Sequence, residues 1–372
     1  MIPPALDTRP LAGVTVLDFS TLLPGPLATL MLAEAGARVI KIERPGGEDM
    51  RFHGPIVGEG REAMSAYYAL LNRGKEIFTV DLKSPDAVER LRPLIASADV
   101  VMEQFRPGVM ERLGLGYEAL AAINPGIVYC AITGYGTCGP RAAQPGHDLN
   151  YQATTGSLAI GRLPMVDPPP PGLLAADIAG GTLPAVINIL LALLGRAKTG
   201  RGTKLDIAMT DGMFTFGFFS QAQGAATGRY PDPGEPIFVG SLPRYSLYRT
   251  KDERLLALGA LEDKFWLAFC DFVGLDASLR DDHATPVETR AAVAAKVAER
   301  THAEWSAALA GTEFCVTPVA SMAEAIADPH FLARGLFAHS VTTPSGAVLP
   351  AAVVPVAPQF RGPPGTVPAP GV

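Results

Sequence analysis

Short apolar runs bounded by turns alternate with helical spacing through the first third of the chain. Residues 15–20, Thr-Val-Leu-Asp-Phe-Ser, read as a buried strand ending on a polar residue. The prolines and glycine of residues 22–26 turn the chain, and Leu27, Leu30, Met31 and Glu34 then fall at helical spacing up to Gly36. Residues 38–43 predict a second strand. A strand, a helix and a strand in so short a span form a βαβ unit with parallel strands and a right-handed crossover. The pattern recurs, with strands expected at 77–81, 100–103 and 127–133 and helical stretches after Ser84 and over 117–123. Such alternation predicts a parallel sheet covered by helices.

Beyond Thr133 the texture changes. Loops rich in Gly and Pro run to a proline run at 168–171, a long apolar helix follows 177–181, and a strand is expected over 203–209. Another loop-rich segment, 224–240, reads as a linker into a smaller unit. There, strands at 245–248 and 255–258 flank a turn at 251–253. The helix from Asp263 then carries Phe265, Trp266, Phe269, Cys270 and Val273 on one face and stops at Gly274. Two capping boxes are expected, Thr285 with Glu288 and Thr301 with Glu304, the first with Pro286 at the opening helical position. Seven prolines among residues 350–372 suit an extended strap. The fold class expected is α/β. A large Rossmann-like domain with a parallel sheet spans 1–220 and is completed by 335–372, and a smaller α+β domain with its linkers occupies 221–334.

Composition narrows the class. Of 372 residues 48% are hydrophobic and 18% charged, which excludes a disordered chain. A net charge of −6 lacks the overall footprint of a nucleic-acid binder, while leaving room for a local basic pocket. Four scattered cysteines without C-x-x-C spacing, and no clustered histidines, argue against a disulfide framework or a metal site and for a reducing compartment. Residues 1–5 show no basic stretch leading into an apolar run, so no secretory leader is expected. The apolar run 183–194 holds Pro184 and Asn188 and reads as a buried helix, so no membrane span is expected and a cytoplasmic protein is the reading.

The Gly134, Gly136, Gly139 spacing matches G-x-G-x-x-G, yet Pro140 and Pro145 follow. The helix that would hold a pyrophosphate is therefore not expected there, which argues against a dinucleotide site. Residues 146–151, Gly-His-Asp-Leu-Asn-Tyr, gather hydrogen-bonding side chains just after a loop. Taken alone, His147 reads as a structural histidine, Asp177 as a helix N-cap, and Glu262 as a residue favoured by a helix dipole. The Asp177 location also has chemical value, since a helix start offers unpaired N–H groups to an anion.

Ordered markers then carry a resemblance. They include Leu23-Pro-Gly-Pro26, Ile42-Glu-Arg-Pro45, Asn72-Arg-Gly-Lys75, Val80-Asp-Leu-Lys83, Arg106-Pro-Gly-Val109 and Thr133-Gly-Tyr-Gly136. Further on stand Gly146-His-Asp-Leu-Asn-Tyr151, Ala176-Asp-Ile-Ala-Gly-Gly181, Lys198-Thr-Gly-Arg-Gly202, Gly259-Ala-Leu-Glu262 and Cys315-Val-Thr-Pro318. The chain resembles the family III CoA-transferase superfamily of the CaiB/BaiF type, and within it the α-methylacyl-CoA racemases. The resemblance implies His147 and Asp177, thirty residues apart, as the two bases, and Glu262 as the carboxylate that holds the histidine. It implies a racemase or epimerase of 2-methyl-branched acyl-CoA thioesters, with His147 serving the 2S and Asp177 the 2R substrate. The alternative it implies is a CoA-transferase in which Asp177 forms an acyl anhydride. An N–H of Asp177 or its neighbours is the expected oxyanion donor.

For the CoA moiety the resemblance points to Arg44 beside the adenine, and to Thr79, Val80, Asp81 and Leu82 along the nucleotide. It points to Lys83, Arg106 and Arg112 for the phosphates, and to Gly146, Asp148 and Tyr151 as further contacts. Coenzyme A is expected only as part of the acyl-CoA substrate, with no prosthetic group and no metal. A homodimer of interlocked chains is implied, with His147 and Asp177 of one chain facing the partner subunit's Glu262. Two departures stand out: Leu173 replaces an asparagine expected four residues before the aspartate, and Gly240-Ser-Leu-Pro243 replaces Gly-Gly-Ala-Pro.

Overall fold

The structure, a computed structural model, describes residues 7–161 and 170–370. Pro168, Pro169 and the residues read for a leader lie outside that range. Six strands, β1 (Thr15–Asp18), β2 (Arg38–Glu43), β3 (Glu76–Thr79), β4 (Val100–Glu103), β5 (Val128–Thr133) and β6 (Thr203–Ala208), form one sheet in the order β3-β2-β1-β4-β5-β6. Every pairing is parallel. The chain builds outward from β1 to one side and then returns to build the other. The order therefore reverses between β1 and β4, and a crevice opens there at the carboxyl ends of the strands.

Both faces of this sheet are buried, which is why its strands read as apolar runs. Val16 and Val100 face one way, under helices α1 (Pro24–Glu34) and α6 (Leu183–Thr199). Leu17 and Val101 face the other, under α3 (Ala87–Ser97) and α4 (Tyr117–Ile123). Burying each such side chain is worth about 1.5–3 kcal/mol. Between these elements lie α2 (Ala66–Asn72) and α5 (Asp148–Thr154).

Helix α6 corrects the expectation of a buried helix. A π-helical segment, Ala176–Thr182, runs directly into it, and Pro184 is harmless in its first turn. The combined stretch Ala176–Thr199 has 24 residues with hydropathy 2.0 in its most apolar window, of which 28% is buried. By length and composition alone it could cross a membrane. Ile187, Leu191 and Leu194 stand 56%, 60% and 65% exposed on its outer side.

Residues 7–155, 171–216 and 328–370 form one compact unit, and residues 156–161 and 217–327 belong to a second. Residues 156–161 and 217–220, expected in the larger domain, thus group with the smaller unit, and residues 328–334, expected in the smaller domain, group with the larger. That unit is an antiparallel sheet of β7 (Tyr245–Arg249), β8 (Leu255–Gly259) and β9 (Val316–Pro318) backed by α7 (Asp263–Val273), α8 (Pro286–Val297) and α9 (His302–Ala308). Trp266, Phe269 and Trp305 fill its core. Gly274 ends α7 at φ 65°, and the Thr301–Glu304 capping box is present. The Thr285 box is not: its hydroxyl donates to the Asp281 carbonyl at 3.2 Å instead, so only Pro286 marks that helix start.

The C-terminal strap is extended, but it also pairs. Strands β10 (His339–Thr342), β11 (Val348–Ala351) and β12 (Thr366–Pro368) form a mixed sheet with β10 in the middle. Pro350 and Pro368 sit on the two edge strands, where a missing N–H costs no ladder bond.

Candidate active site

Two cavities open at the carboxyl ends of the large sheet. The first, about 650 Å³, is lined by Lys41, Arg44, Asp81, Leu82, Lys83 and Arg112 among others. The second, about 470 Å³, is lined by Gln104, Arg106, Gly146, His147, Tyr151 and Asp177. Glu43 at the end of β2 reaches the first and Thr133 at the end of β5 reaches the second, while Phe105 borders both.

Of the residues expected to bind CoA, Arg44, Asp81, Leu82, Lys83 and Arg112 therefore share one cavity, and Arg106, Gly146 and Tyr151 the other. The side chains of Lys83, Arg106 and Arg112 make no ion pair among the described residues. Three expected contacts fall elsewhere. Val80 is a core side chain whose amide donates to the Glu43 carbonyl at 2.8 Å. Thr79 ends β3, exposed, with its carbonyl taken by Arg90 at 3.1 Å. Asp148 is buried and lines neither cavity.

The walls of the second cavity rest on close backbone approach. A Cβ on Gly134 would lie 2.4 Å from the Tyr151 ring, and one on Gly146 would lie 2.7 Å from it. These glycines let the ring pack edge-on to Tyr135 and the Tyr151 hydroxyl donate to the Gly146 carbonyl at 2.6 Å. Gly134 and its neighbours thus belong to a packing loop, and no helix opens on them. On the facing side Leu22 adopts φ 63°, costly for a side chain that is not glycine. Its N–H is held at 2.9 Å by Glu48, whose carboxylate also pairs with Lys41 at 2.9 Å. Beneath, fully buried Lys75 bonds Asp18 at 3.1 Å and the Pro26 carbonyl at 2.9 Å, and burial pulls the Lys75 ammonium down to about 8.

His147 stands exposed just before α5, its backbone N–H donating to Asn150 Oδ1 at 3.0 Å. Asp177 does not cap a helix; it lies inside the π-helical segment, a departure often found at working sites. The N-terminal amides there are satisfied by Asp148, one of whose oxygens accepts from Ala176 at 2.7 Å and from Asp177 at 3.0 Å. The other accepts from Gln152 at 2.5 Å. The donors expected for the oxyanion, the amide of Asp177 and those beside it, are therefore already spent, Ile178 donating to the Leu174 carbonyl at 3.1 Å. Burial, reinforced by the Asp148 charge and opposed by His147, pushes the Asp177 carboxyl up to about 6. Glu262 belongs to the second compact unit, exposed at the start of α7 with no capping bond from its side chain.

Sequence reasoning missed Lys41, Glu48 and Gln104. Lys41 carried a signal, since a lysine in the middle of a strand buried on both faces needs a partner. Glu103 was missed too: burial pushes its carboxyl up to about 7 while it accepts from the Phe105 N–H at 2.7 Å.

Residues 11–371 match CoA-transferase family III. The chain is 35% identical over 333 residues to α-methylacyl-CoA racemase of Homo sapiens, covering 88% of this chain and 82% of that one. It is 32% identical over 353 residues to acetyl-CoA:oxalate CoA-transferase of Acetobacter aceti, covering 91% and 87%. A crystal structure of a CaiB/BaiF family protein from Brucella suis matches with a TM-score of 0.80 and 32% identity, over 94% of this chain and 93% of that one.

Proposed function

Because the chain belongs to CoA-transferase family III, we propose that it is a racemase or epimerase of 2-methyl-branched acyl-CoA thioesters, moving the α-proton between His147 and Asp177. The observation that carries this reading is that both side chains line one cavity. Proton exchange beside a thioester carbonyl needs a base on each face of the carbon and a donor for the charge that builds on oxygen. A carboxyl lifted to about 6 can both hold and release a proton near neutrality, as that exchange requires. In one direction His147 takes the proton of the 2S thioester, and protonated Asp177 delivers one to the opposite face of the enolate. The reverse direction exchanges the roles. With the Ala176 and Asp177 amides engaged by Asp148, the donor for the thioester oxygen is a group other than these two amides.

The nucleotide end of CoA is assigned to the first cavity, with Lys83 and Arg112 at its phosphates and Phe105 where the two cavities meet. CoA enters only as part of the substrate. A cytoplasmic homodimer completes the proposal: a second copy covers Ile187, Leu191 and Leu194, and the partner subunit's Glu262 orients His147. Burial of that apolar face on assembly is the physical support.

The 32% identity to a CoA-transferase keeps a second reading in view. In it, the Asp177 carboxylate attacks the thioester carbon and CoA thiolate leaves, giving a mixed anhydride. The thiolate attacks the Asp177 carbonyl and releases the donor acid. An acceptor carboxylate then displaces the thiolate to form a new anhydride, and the thiolate attacks the acceptor's carbonyl, yielding its CoA thioester and free Asp177. Incubation of a 2-methylacyl-CoA in D2O without an acceptor acid separates the two. One deuterium at C2 with loss of stereochemical purity, suppressed in His147→Ala, is the expected result. If C2 keeps its proton while added carboxylic acids acquire CoA, the racemase reading is refuted.

A further inference from the structure

The two cavities already described sit at the carboxyl ends of the large sheet; a third lies at its amino ends. It encloses about 300 Å³ and is lined by Arg9, Glu34, Arg73, His339 and Arg361 among others. Ala37, just before β2, and Gly74, just before β3, place it at that end. All of these residues belong to the first compact unit.

The charges lining it do not cancel. Arg73 is neutralised by Glu34, and its remaining donors reach the carbonyls of Leu70 at 2.7 Å and Ala352 at 3.0 Å. Arg9 forks onto Asp7 through Nε at 3.0 Å and Nη2 at 2.5 Å, leaving Nη1 with a weak 3.4 Å contact to the Glu34 carbonyl. Arg361 has no carboxylate partner among the described residues; its one bond is a 3.4 Å contact from Nη1 to the Val356 carbonyl. A Cβ on Gly362, the next residue, would lie 3.6 Å from Arg9 Nη1, so the spare donors of Arg9 stand beside the Arg361 segment.

His339 supplies the second, independent observation. It opens β10, is 8% exposed, and its Nε2 is buried without a hydrogen-bond partner among the described residues. A buried polar nitrogen left unpaired costs about 1–3 kcal/mol. A spare guanidinium, a half-used guanidinium and an unsatisfied imidazole nitrogen lining one small cavity together match a ligand that offers several acceptor oxygens and negative charge. We propose that this cavity is a binding site for a small oxyanion, distinct from the catalytic cleft and held by Arg361, His339 and Arg9. The strap residues that line it, Arg361, Gly362, Pro363 and Val367, share its wall with Leu30, Ala33 and Glu34 of α1, so occupancy ties the C-terminal segment to that helix.

The test does not depend on catalysis. Full-length protein saturated with CoA, so that Lys83 and Arg112 are occupied, is titrated calorimetrically with inorganic phosphate and, separately, with malonate. One saturable equivalent per chain is expected for at least one of them, and which one binds distinguishes a phosphate ligand from a carboxylate. Arg361→Gln should weaken it at least tenfold and leave CoA affinity unchanged. In protein labelled with 15N-histidine, the ring signal absent from His339→Gln should move on addition of that anion. No saturable binding of either anion, equal affinity in Arg361→Gln, or a His339 signal that stays put under saturating anion would each overturn the proposal.

Discussion

Replacing Asp148 tests whether one buried carboxylate holds the segment that presents Asp177. A single oxygen of Asp148 accepts from two amides, Ala176 at 2.7 Å and Asp177 at 3.0 Å. In Asp148→Ala both lose their acceptor, at about 1–3 kcal/mol each when buried. Ala176 is fully buried, whereas Asp177 is only partly so, which places the sum at roughly 2–4 kcal/mol. Asp148→Asn keeps an oxygen for both amides and loses only the charge assistance, about 1 kcal/mol, provided the Gln152 amide turns to meet the new NH2. The two variants therefore separate geometry from charge. Urea unfolding followed by circular dichroism reads the first. The pH profile of deuterium exchange at C2 reads the second, because removing the Asp148 charge leaves burial alone to raise the Asp177 carboxyl and shifts its limb toward acid. A loss under 0.5 kcal/mol in Asp148→Ala, or equal losses in the two variants, would refute the reasoning.

Two further outcomes follow from the same structure. The Asp177 carboxyl is raised from 3.8 to about 6, so the folded state holds a proton that the unfolded chain releases across that interval. Stability from this group is present below pH 4 and falls as pH rises toward 6, and Asp177→Asn should remove that fall. The measurement is the difference in unfolding free energy between variant and wild type at pH 4 and at pH 7, which should shift in favour of the variant at the higher pH. Charging the outer side of α6 with Leu191→Asp and Leu194→Asp should turn the proposed dimer into a monomer by analytical ultracentrifugation, with the far-ultraviolet spectrum unchanged.

Much of the large sheet was legible because parallel strands buried on both faces must be apolar throughout. Val128–Thr133 is buried at every position, and the run predicted for it differs from the strand by one residue. Local caps were legible only in part. Thr301 and Glu304 satisfy each other, whereas Thr285 has the same spacing but finds the Asp281 carbonyl closer at hand. The outer face of α6 was misread because leucines facing solvent or a partner have the same composition and spacing as leucines facing a core. His147 and Asp177 were legible as a motif pair, but the π-helical turn around Asp177 was not. That turn depends on Gly180, where a Cβ would come 2.3 Å from the Met209 carbonyl oxygen, a contact between segments remote in sequence. The motif around Asp148 points to a ligand contact; its role in holding two amides comes only from the fold.

Phe105 borders both cavities of the proposed active site. For a CoA thioester, this makes the cleft a two-point tether. Once the nucleotide end is seated, the thioester explores only the short reach of the pantetheine arm, at an effective concentration of the order of millimolar or more. Neither half then needs high affinity by itself, so a cleaved or shortened ligand departs readily while the whole one is retained. A thioester trimmed to its pantetheine portion should accordingly lose turnover as well as binding, because the remote contacts are spent on alignment at the reacting carbon.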